Sequence, residues 1–492
     1  MADKSNLDTT QKEDIDSYLS NDRMNVCIQK LKAKFGDNYE KLIISDVLDA
    51  DGHQYVNLVQ KGGGVLGIAL VGYTYILEMV NIRFMRLAGT SAGAINTALM
   101  TVIGKKEDPK SKTVLKAITE LNFFDLVDGH PVMRKIIRIF ITHTDFSVKL
   151  KRLALRYIFI LAFSIIGDFI FLGLETKTPQ LSTVTRAFFV LTGLMILLLV
   201  ILFSYVGSLL KRFKDSGFGI NPGNFFYDWI KLRLHENDVI TVQDLKNKAG
   251  AEINGLCMRG ERAESITDIK GDVTFITSEV ATENKIQFPE MCNLFSNDIN
   301  SLEPAGFIRA SMSIPIFFES YFIRDIPCET DDIKKAWKER FNVSDPPTTA
   351  RFVDGGILSN FPMSIFYNPN VSIPRLPSLG IDLDDNKPED KKKHPGDWSI
   401  AGYFGRIFNT TRFFYDKDFL LKNQMFGKGV GKVPLSEFNW LNFFLKPDEK
   451  IDMFLKGAEA ATDFLLNFEW ETYKTNRESV QKQLVNIAPT LK

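Results

Sequence analysis

The chain lacks net charge: 60 basic residues are balanced by 60 acidic ones. A nucleic-acid partner calls for a basic excess, and the overall balance supplies none. Cysteine is scarce, and Cys27, Cys257, Cys292 and Cys328 are scattered without a Cys-x-x-Cys pair. They read as reduced core thiols, not as a disulfide framework. Histidine is scarcer than the length would suggest, with only His53, His130, His143, His235 and His394. The opening Met1-Ala2-Asp3-Lys4-Ser5 runs into polar sequence without the apolar core of a secretory signal, so export is not expected. No internal repeat is evident.

What the chain has instead is two long apolar runs and an abundance of phenylalanine, 40 in 492 residues. From Tyr157 to Leu174 and from Ala187 to Leu210 nearly every residue is Phe, Ile, Leu or Val. The second run exceeds the ~20 residues that cross a bilayer, while the first is at the short end and carries Asp168. Lys149, Lys151, Arg152 and Arg156 precede the pair, and Lys211, Arg212 and Lys214 follow it, which puts the basic flanks on one side of a hairpin. By the positive-inside tendency that side is cytoplasmic. A buried helical pair, or a hydrophobic cap over a site, fits the same composition.

Around the runs the pattern is α/β. Residues 1–50 are polar with patches of helical periodicity and read as an accessory extension. Tyr55 to Val59 is β-rich and stops at Gly62-Gly63-Gly64-Val65-Leu66-Gly67, after which Val65 to Val80 has helical spacing. A second strand, Ile82 to Ala88, meets Gly89-Thr90-Ser91-Ala92-Gly93 and then the helical Ala94 to Leu99. Strand, glycine turn and helix, repeated, imply a parallel sheet covered by helices. Further strands are expected at Asp272–Thr277, Ala350–Val353 and Leu379–Leu383. Asp384 to Asp397, with Lys391-Lys392-Lys393, reads as a solvated loop, and Trp398 to Leu466 as mostly helical.

Ser91 between Gly89 and Gly93 at a strand-to-helix turn has the arrangement of a nucleophile elbow, in which the serine Oγ is left exposed. The helix N-terminus beyond it favours the negative charge of an acyl-transfer intermediate. Such a serine needs amide donors for the oxyanion and a base for its proton. The 62–67 glycine turn can supply donors. It can also cradle a phosphate, although the Gly-Lys-Ser/Thr ending of a P-loop is missing. Among bases, His394 is the only histidine after Asp354, and it lies in the charged loop. Asp354, at a strand end before Gly355 and Gly356, offers a carboxylate that can approach another loop closely, or it is simply an Asp-Gly turn.

Three motifs in this order resemble the patatin-like phospholipase family: Gly-Gly-Gly-x-x-Gly at 62–67, Gly-Thr-Ser-Ala-Gly at 89–93 and Asp-Gly-Gly at 354–356. Ala310 to Phe317, Asn360-Phe361-Pro362 and Lys450 to Phe464 are similar to further family segments, so the resemblance covers roughly residues 55–130 and 270–465. It implies a three-layer α/β/α domain with a mainly parallel sheet, interrupted here by a two-helix hydrophobic insertion that the core family domain lacks. It also implies lipid acyl hydrolysis by a Ser-Asp dyad without histidine, cofactor or metal. Carried onto this chain, Ser91 is the nucleophile and Asp354 the base, with backbone amides of Gly62, Gly63, Gly64 and Val65 as oxyanion donors. Gly67, Gly89, Gly93, Gly355 and Gly356 complete the motifs. Leu66 stands where the family often has Lys or Arg, which removes a headgroup contact from that position.

The expected organisation is a helical extension (1–50), an α/β domain in two parts (51–150 and 215–397), a membrane-spanning hairpin (151–214) and a C-terminal helical region (398–492). The expected partner is a membrane and its lipids, through integral segments 157–174 and 187–210, with the catalytic domain on the cytoplasmic side and no nucleic acid. Competing readings are a histidine-dependent esterase of soluble esters, a membrane-anchored esterase or acyltransferase of neutral acylglycerols, and a catalytically inactive membrane scaffold.

Overall fold

The computed structural model describes residues 15–131, 134, 146–175, 182–215, 217–368, 370–371, 373–385 and 400–487. The strands that position the site are β1 (Val47–Leu48), β2 (Gln54–Gln60), β3 (Ile82–Thr90), β4 (Asp272–Glu279), β5 (Asn284–Phe288), β6 (Tyr321–Ile323), β7 (Ala350–Asp354), β8 (Ser378–Asp384) and β9 (Val430–Pro434). The helices include α1 (Asp22–Phe35), α2 (Ile68–Met79), α3 (Ala92–Val102), α4 (Phe146–Glu175), α5 (Ser182–Asp215), α6 (Pro304–Ser311), α7 (Ile400–Lys422) and α8 (Pro447–Asn467). The chain divides into two units, one made of Met1–Val127 with Gly223–Lys492, the other of Asp128–Pro222.

In the larger unit, β9, β8, β2, β3 and β4 lie side by side and parallel. Strand β7 then runs antiparallel to β4, β6 antiparallel to β7, and β5 antiparallel to β4. The sheet is therefore parallel at its centre and antiparallel at its flank. Every residue of β2 is buried, as expected of a strand covered on both faces. Gln54 and Gln60 are tolerated there because side chains and backbone answer them; Gln60 Nε2, for one, donates to Thr97 Oγ1 at 2.9 Å.

Helix α2 is buried almost all round, since it lies between the sheet and α8. The two helices approach until a Cβ on Gly72 would meet the Phe454 carbonyl at 1.9 Å, and one on Gly457 the Ala69 carbonyl at 1.9 Å. No larger residue fits either position. The expected helix from Val65 begins instead as a tight 3₁₀ turn, Gly64–Gly67, before α2 proper.

Both terminal segments group with the sheet in the larger unit. Arg23 of α1 reaches Asp452 at 2.5 Å and Glu459 at 2.7 Å on α8, and β1 pairs with β2. The C-terminal stretch is also not all helical: it contributes β9, whose Val430 to Pro434 pair with Gly380 to Asp384. These ties are long-range, so local periodicity carried no sign of them. The Lys391–Lys393 loop, His394 and His143 fall outside the described residues.

In the smaller unit α4 and α5 form an apolar pair, and α5 already begins at Ser182, ahead of the apolar run that starts at Ala187. Phe159, Phe163 and Phe203 point outward at 73, 71 and 72 % exposure, whereas Asp168, Ser164 and Thr192 are buried between the helices. Ser164 and Thr192 hydroxyls share a 2.6 Å hydrogen bond, Tyr157 Oη donates to the Met195 carbonyl at 2.7 Å, and Phe171 packs on Phe188. Both helices are long and apolar enough to cross a membrane.

Candidate active site

Ser91 caps the junction of β3 and α3 with φ 53° and ψ −121°, a backbone conformation that L-residues adopt only under constraint. The constraint is visible on both sides. A Cβ at Gly89 would stand 2.3 Å from the Gly93 carbonyl, and one at Gly93 would stand 2.2 Å from the Gln60 carbonyl. The Ser91 N–H donates to Ser311 Oγ at 2.9 Å, and that hydroxyl donates onward to the Ile276 carbonyl at 2.6 Å. The elbow is thus held from α6 as well as from its own strand.

Asp354 ends β7, and its N–H donates to the Ser313 carbonyl at 2.8 Å. The segment Ser311–Ser313 therefore grips the backbone at both Ser91 and Asp354. The Gly356 N–H donates to Asp354 Oδ1 at 2.7 Å, which fixes the carboxylate, while Oδ2 is buried without a hydrogen-bond partner among the described residues. Burial pushes the Asp354 carboxyl above the usual carboxylate range; the Ser91 hydroxyl, the Arg412 guanidinium and the Gly356 amide pull the other way. The Ser91 hydroxyl thus lies beside a carboxylate whose Oδ2 is unengaged. Ser91 and Asp354 are both nearly inaccessible.

The glycine turn sits against this pair. The Asn360 carboxamide stands between the two glycine motifs: its Oδ1 would lie 2.5 Å from a Cβ on Gly62 and 2.5 Å from one on Gly356. Its Nδ2 donates to the Gly62 carbonyl at 3.2 Å. Of the four amides expected as oxyanion donors, two are already engaged. Gly62 N–H donates to the Asn360 carbonyl at 3.0 Å, and Val65 N–H to the Trp440 carbonyl at 3.1 Å. Gly63 and Gly64 have no amide hydrogen bond among the described residues. Gly62 and Val65 thus give their amide protons to the surrounding scaffold, while those of Gly63 and Gly64 are left. At Gly67 a Cβ would meet Ala92 Cβ at 2.9 Å, which locks the turn to the start of α3.

Four participants were not foreseen from sequence. Trp440 lies in the connection from β9 to α8 and lays its carbonyl across the turn, where Gly64, at φ 56°, leaves room for it. In the same connection Phe443 stacks on Phe317 at 4.7 Å. Arg412 of α7 donates from Nε to the Gly356 carbonyl at 2.6 Å. Asp416, one helical turn on, accepts from Ser359 Oγ at 2.7 Å and from the Phe361 N–H at 2.8 Å; burial pushes its carboxyl up, against the pull of these donors. Histidine is not brought to the pair among the described residues. His53 pairs with Asp49 at 2.8 Å just before β2, at the end of that strand remote from Gly62.

A serine on a constrained strand-to-helix turn, beside an α/β sheet and free backbone amides, defines the class: an α/β protein of the serine-dependent ester hydrolase type. Residues 58–367 match the family described as patatin-like phospholipase, and the chain belongs to that family. Membership supports lipid acyl hydrolysis in general. The chain is similar to the uncharacterized protein YqhO of Bacillus subtilis (strain 168), with 23 % identity over 411 residues, covering 84 % of this chain and 98 % of that protein. Among solved structures it is similar to VipD from Legionella pneumophila, at 12 % identity and a TM-score of 0.34 over 86 % of this chain and 70 % of that one.

Proposed function

We propose that this protein hydrolyses fatty-acyl esters of membrane lipids through a Ser91–Asp354 dyad. The observation that carries the reading is the constrained Ser91 turn set beside a buried carboxylate with one unengaged oxygen, facing a turn with two undonated amides. Asp354 takes the Ser91 proton as Oγ attacks the ester carbonyl. The amides of Gly63 and Gly64 hold the tetrahedral oxyanion. On collapse the proton passes from Asp354 to the leaving alcohol, and a water deprotonated by Asp354 then releases the fatty acid and regenerates Ser91.

The hairpin supports a membrane location for that chemistry. Helices α4 and α5 carry their large apolar side chains outward and their hydroxyls inward, the arrangement suited to an apolar surround. In this reading they span the bilayer, with the hydrolytic unit on the cytoplasmic side.

Fatty-acid release from phospholipid vesicles by the full chain tests the dyad. Ser91→Ala and Asp354→Asn should each abolish it and His394→Ala should leave it intact; undiminished release by either dyad variant overturns the assignment.

A further inference from the structure

Helix α7 has two unlike faces. One turns inward and holds the segment that follows the proposed base: Arg412 on the Gly356 carbonyl, Asp416 on Ser359 and on the Phe361 amide. Phe419 continues that face and packs on Tyr367 and Phe426 at 5.6 and 5.2 Å. The other face is exposed and apolar. Tyr403, Ile407, Phe414 and Leu421 all lie open to solvent, the last two at 65 and 71 % exposure. At ~100° per residue these four fall within roughly 40° of one another, on the side of the helix opposite Arg412. Two large side chains this open in one stripe are costly in water and do nothing for the packing of the sheet.

We propose that the outer face of α7 is a docking surface for a lipid bilayer, and that α7 transmits this contact to the turn carrying Asp354. The inference presupposes the membrane-lipid substrate proposed above. The occupant is argued from charge as well as from apolarity. Over Ile400–Lys422 the helix has four cationic residues, Arg406, Arg412, Lys417 and Lys422, against two acidic ones. Of the acidic pair, Asp416 is buried on the inner face and Asp418 is bridged to Lys422 at 2.6 Å. Arg406 and Lys417 border the apolar stripe. An apolar stripe edged by cations is what an anionic bilayer surface takes up in the plane of its headgroups.

The coupling follows from the grip. Arg412 and Asp416 lie on one helical face and hold residues 356, 359 and 361, so a shift of α7 on docking displaces the Asp-Gly-Gly turn as a body. Ser91 and Asp354 are nearly inaccessible in the present arrangement. A bilayer-driven movement of α7 is therefore placed to open the pair where its substrate lies.

Full-length protein reconstituted in vesicles of phosphatidylcholine and phosphatidylglycerol provides the test. The native cysteines are all buried, so a bimane label reports on one introduced thiol. With nitroxide-bearing lipid, the label on Phe414→Cys should be quenched severalfold more strongly than on Lys335→Cys, an exposed position on another helix. Equal quenching overturns the docking, and burial of Phe414→Cys that is independent of lipid assigns the stripe to a second copy of the chain instead. For the coupling, Phe414→Asp with Leu421→Asp should lower hydrolysis of vesicle phospholipid by about tenfold or more while leaving a soluble short-chain ester within about twofold. Equal loss on both substrates, or on neither, overturns it. Strong quenching with no hydrolysis of any lipid by the unaltered protein leaves the docking standing and removes the proposed substrate, so the two readings fail separately.

Discussion

The two units treat apolar residues in opposite ways. In the hydrolytic unit α2 is apolar and buried, while in the hairpin the apolar Phe159, Phe163 and Phe203 face out and Ser164, Asp168 and Thr192 face in. Glycine follows the same division. Gly72 and Gly457 lie where a Cβ would press into a neighbouring carbonyl, but Gly193 and Gly207 meet nothing within 4 Å. Hydropathy alone does not separate a core helix from one that turns its apolar side chains outward; what surrounds the side chains does.

That contrast can be broken at several points. The largest expected effect is chemical: Ser91→Ala should lower ester hydrolysis by about three orders of magnitude or more yet leave the chain in the membrane fraction, measured by fatty-acid release and by carbonate-resistant sedimentation. Loss of both properties would mean that the units are not independent. Next, Leu198→Lys with Phe203→Lys in the outward face of α5 should weaken insertion by about 2.5–3.5 kcal/mol for each charge near mid-membrane and move protein to the soluble fraction. If this double variant sediments like the unaltered chain, the hairpin does not face lipid.

Third, Gly457→Ala should destabilise the hydrolytic unit by about 1–3 kcal/mol through overpacking, whereas Gly193→Ala should cost nothing or gain up to about 1 kcal/mol of helix propensity. Thermal unfolding followed in detergent distinguishes them. Smallest is a pH effect. Burial holds the Asp354 carboxyl above its usual range, and Arg412 opposes that. The base acts when ionised, so activity should fall as pH drops through the raised value. Arg412→Gln should move that acidic limb to higher pH in a profile of kcat/KM. The stability linkage has the opposite sense: a raised carboxyl costs stability above its unfolded pKa, and the cost is relieved as pH falls through the folded one.

Much of the fold was legible because its signals are local. The glycine turns at 62–67 and 89–93, the strands leading into them and the Asp-Gly-Gly turn are each written in a few consecutive residues. Strand β9 was not legible, since Val430 to Pro434 is a strand only because β8 lies beside it. Arg412 and Asp416 were invisible for a related reason: their roles depend on which face of α7 meets residues 356–361, and that is set by tertiary packing. The Val65 amide looked available from the turn alone, and only the return of the chain at Trp440 accounts for its proton. Local chemistry was readable, and the partners that complete it from distant segments were not.

Strand β3 is flanked by β2, made before it, and by β4, made after the hairpin. On a ribosome adding ~5–20 residues per second, Asp354 follows Ser91 by roughly tens of seconds, and both apolar helices emerge in that interval. No chain that stops short of residue 354 holds both members of the proposed pair. A nascent polypeptide is thus incapable of the hydrolysis proposed here until after the segment proposed to seat it in the bilayer has been synthesised, so the order of the gene delays activity until the means of localisation exist.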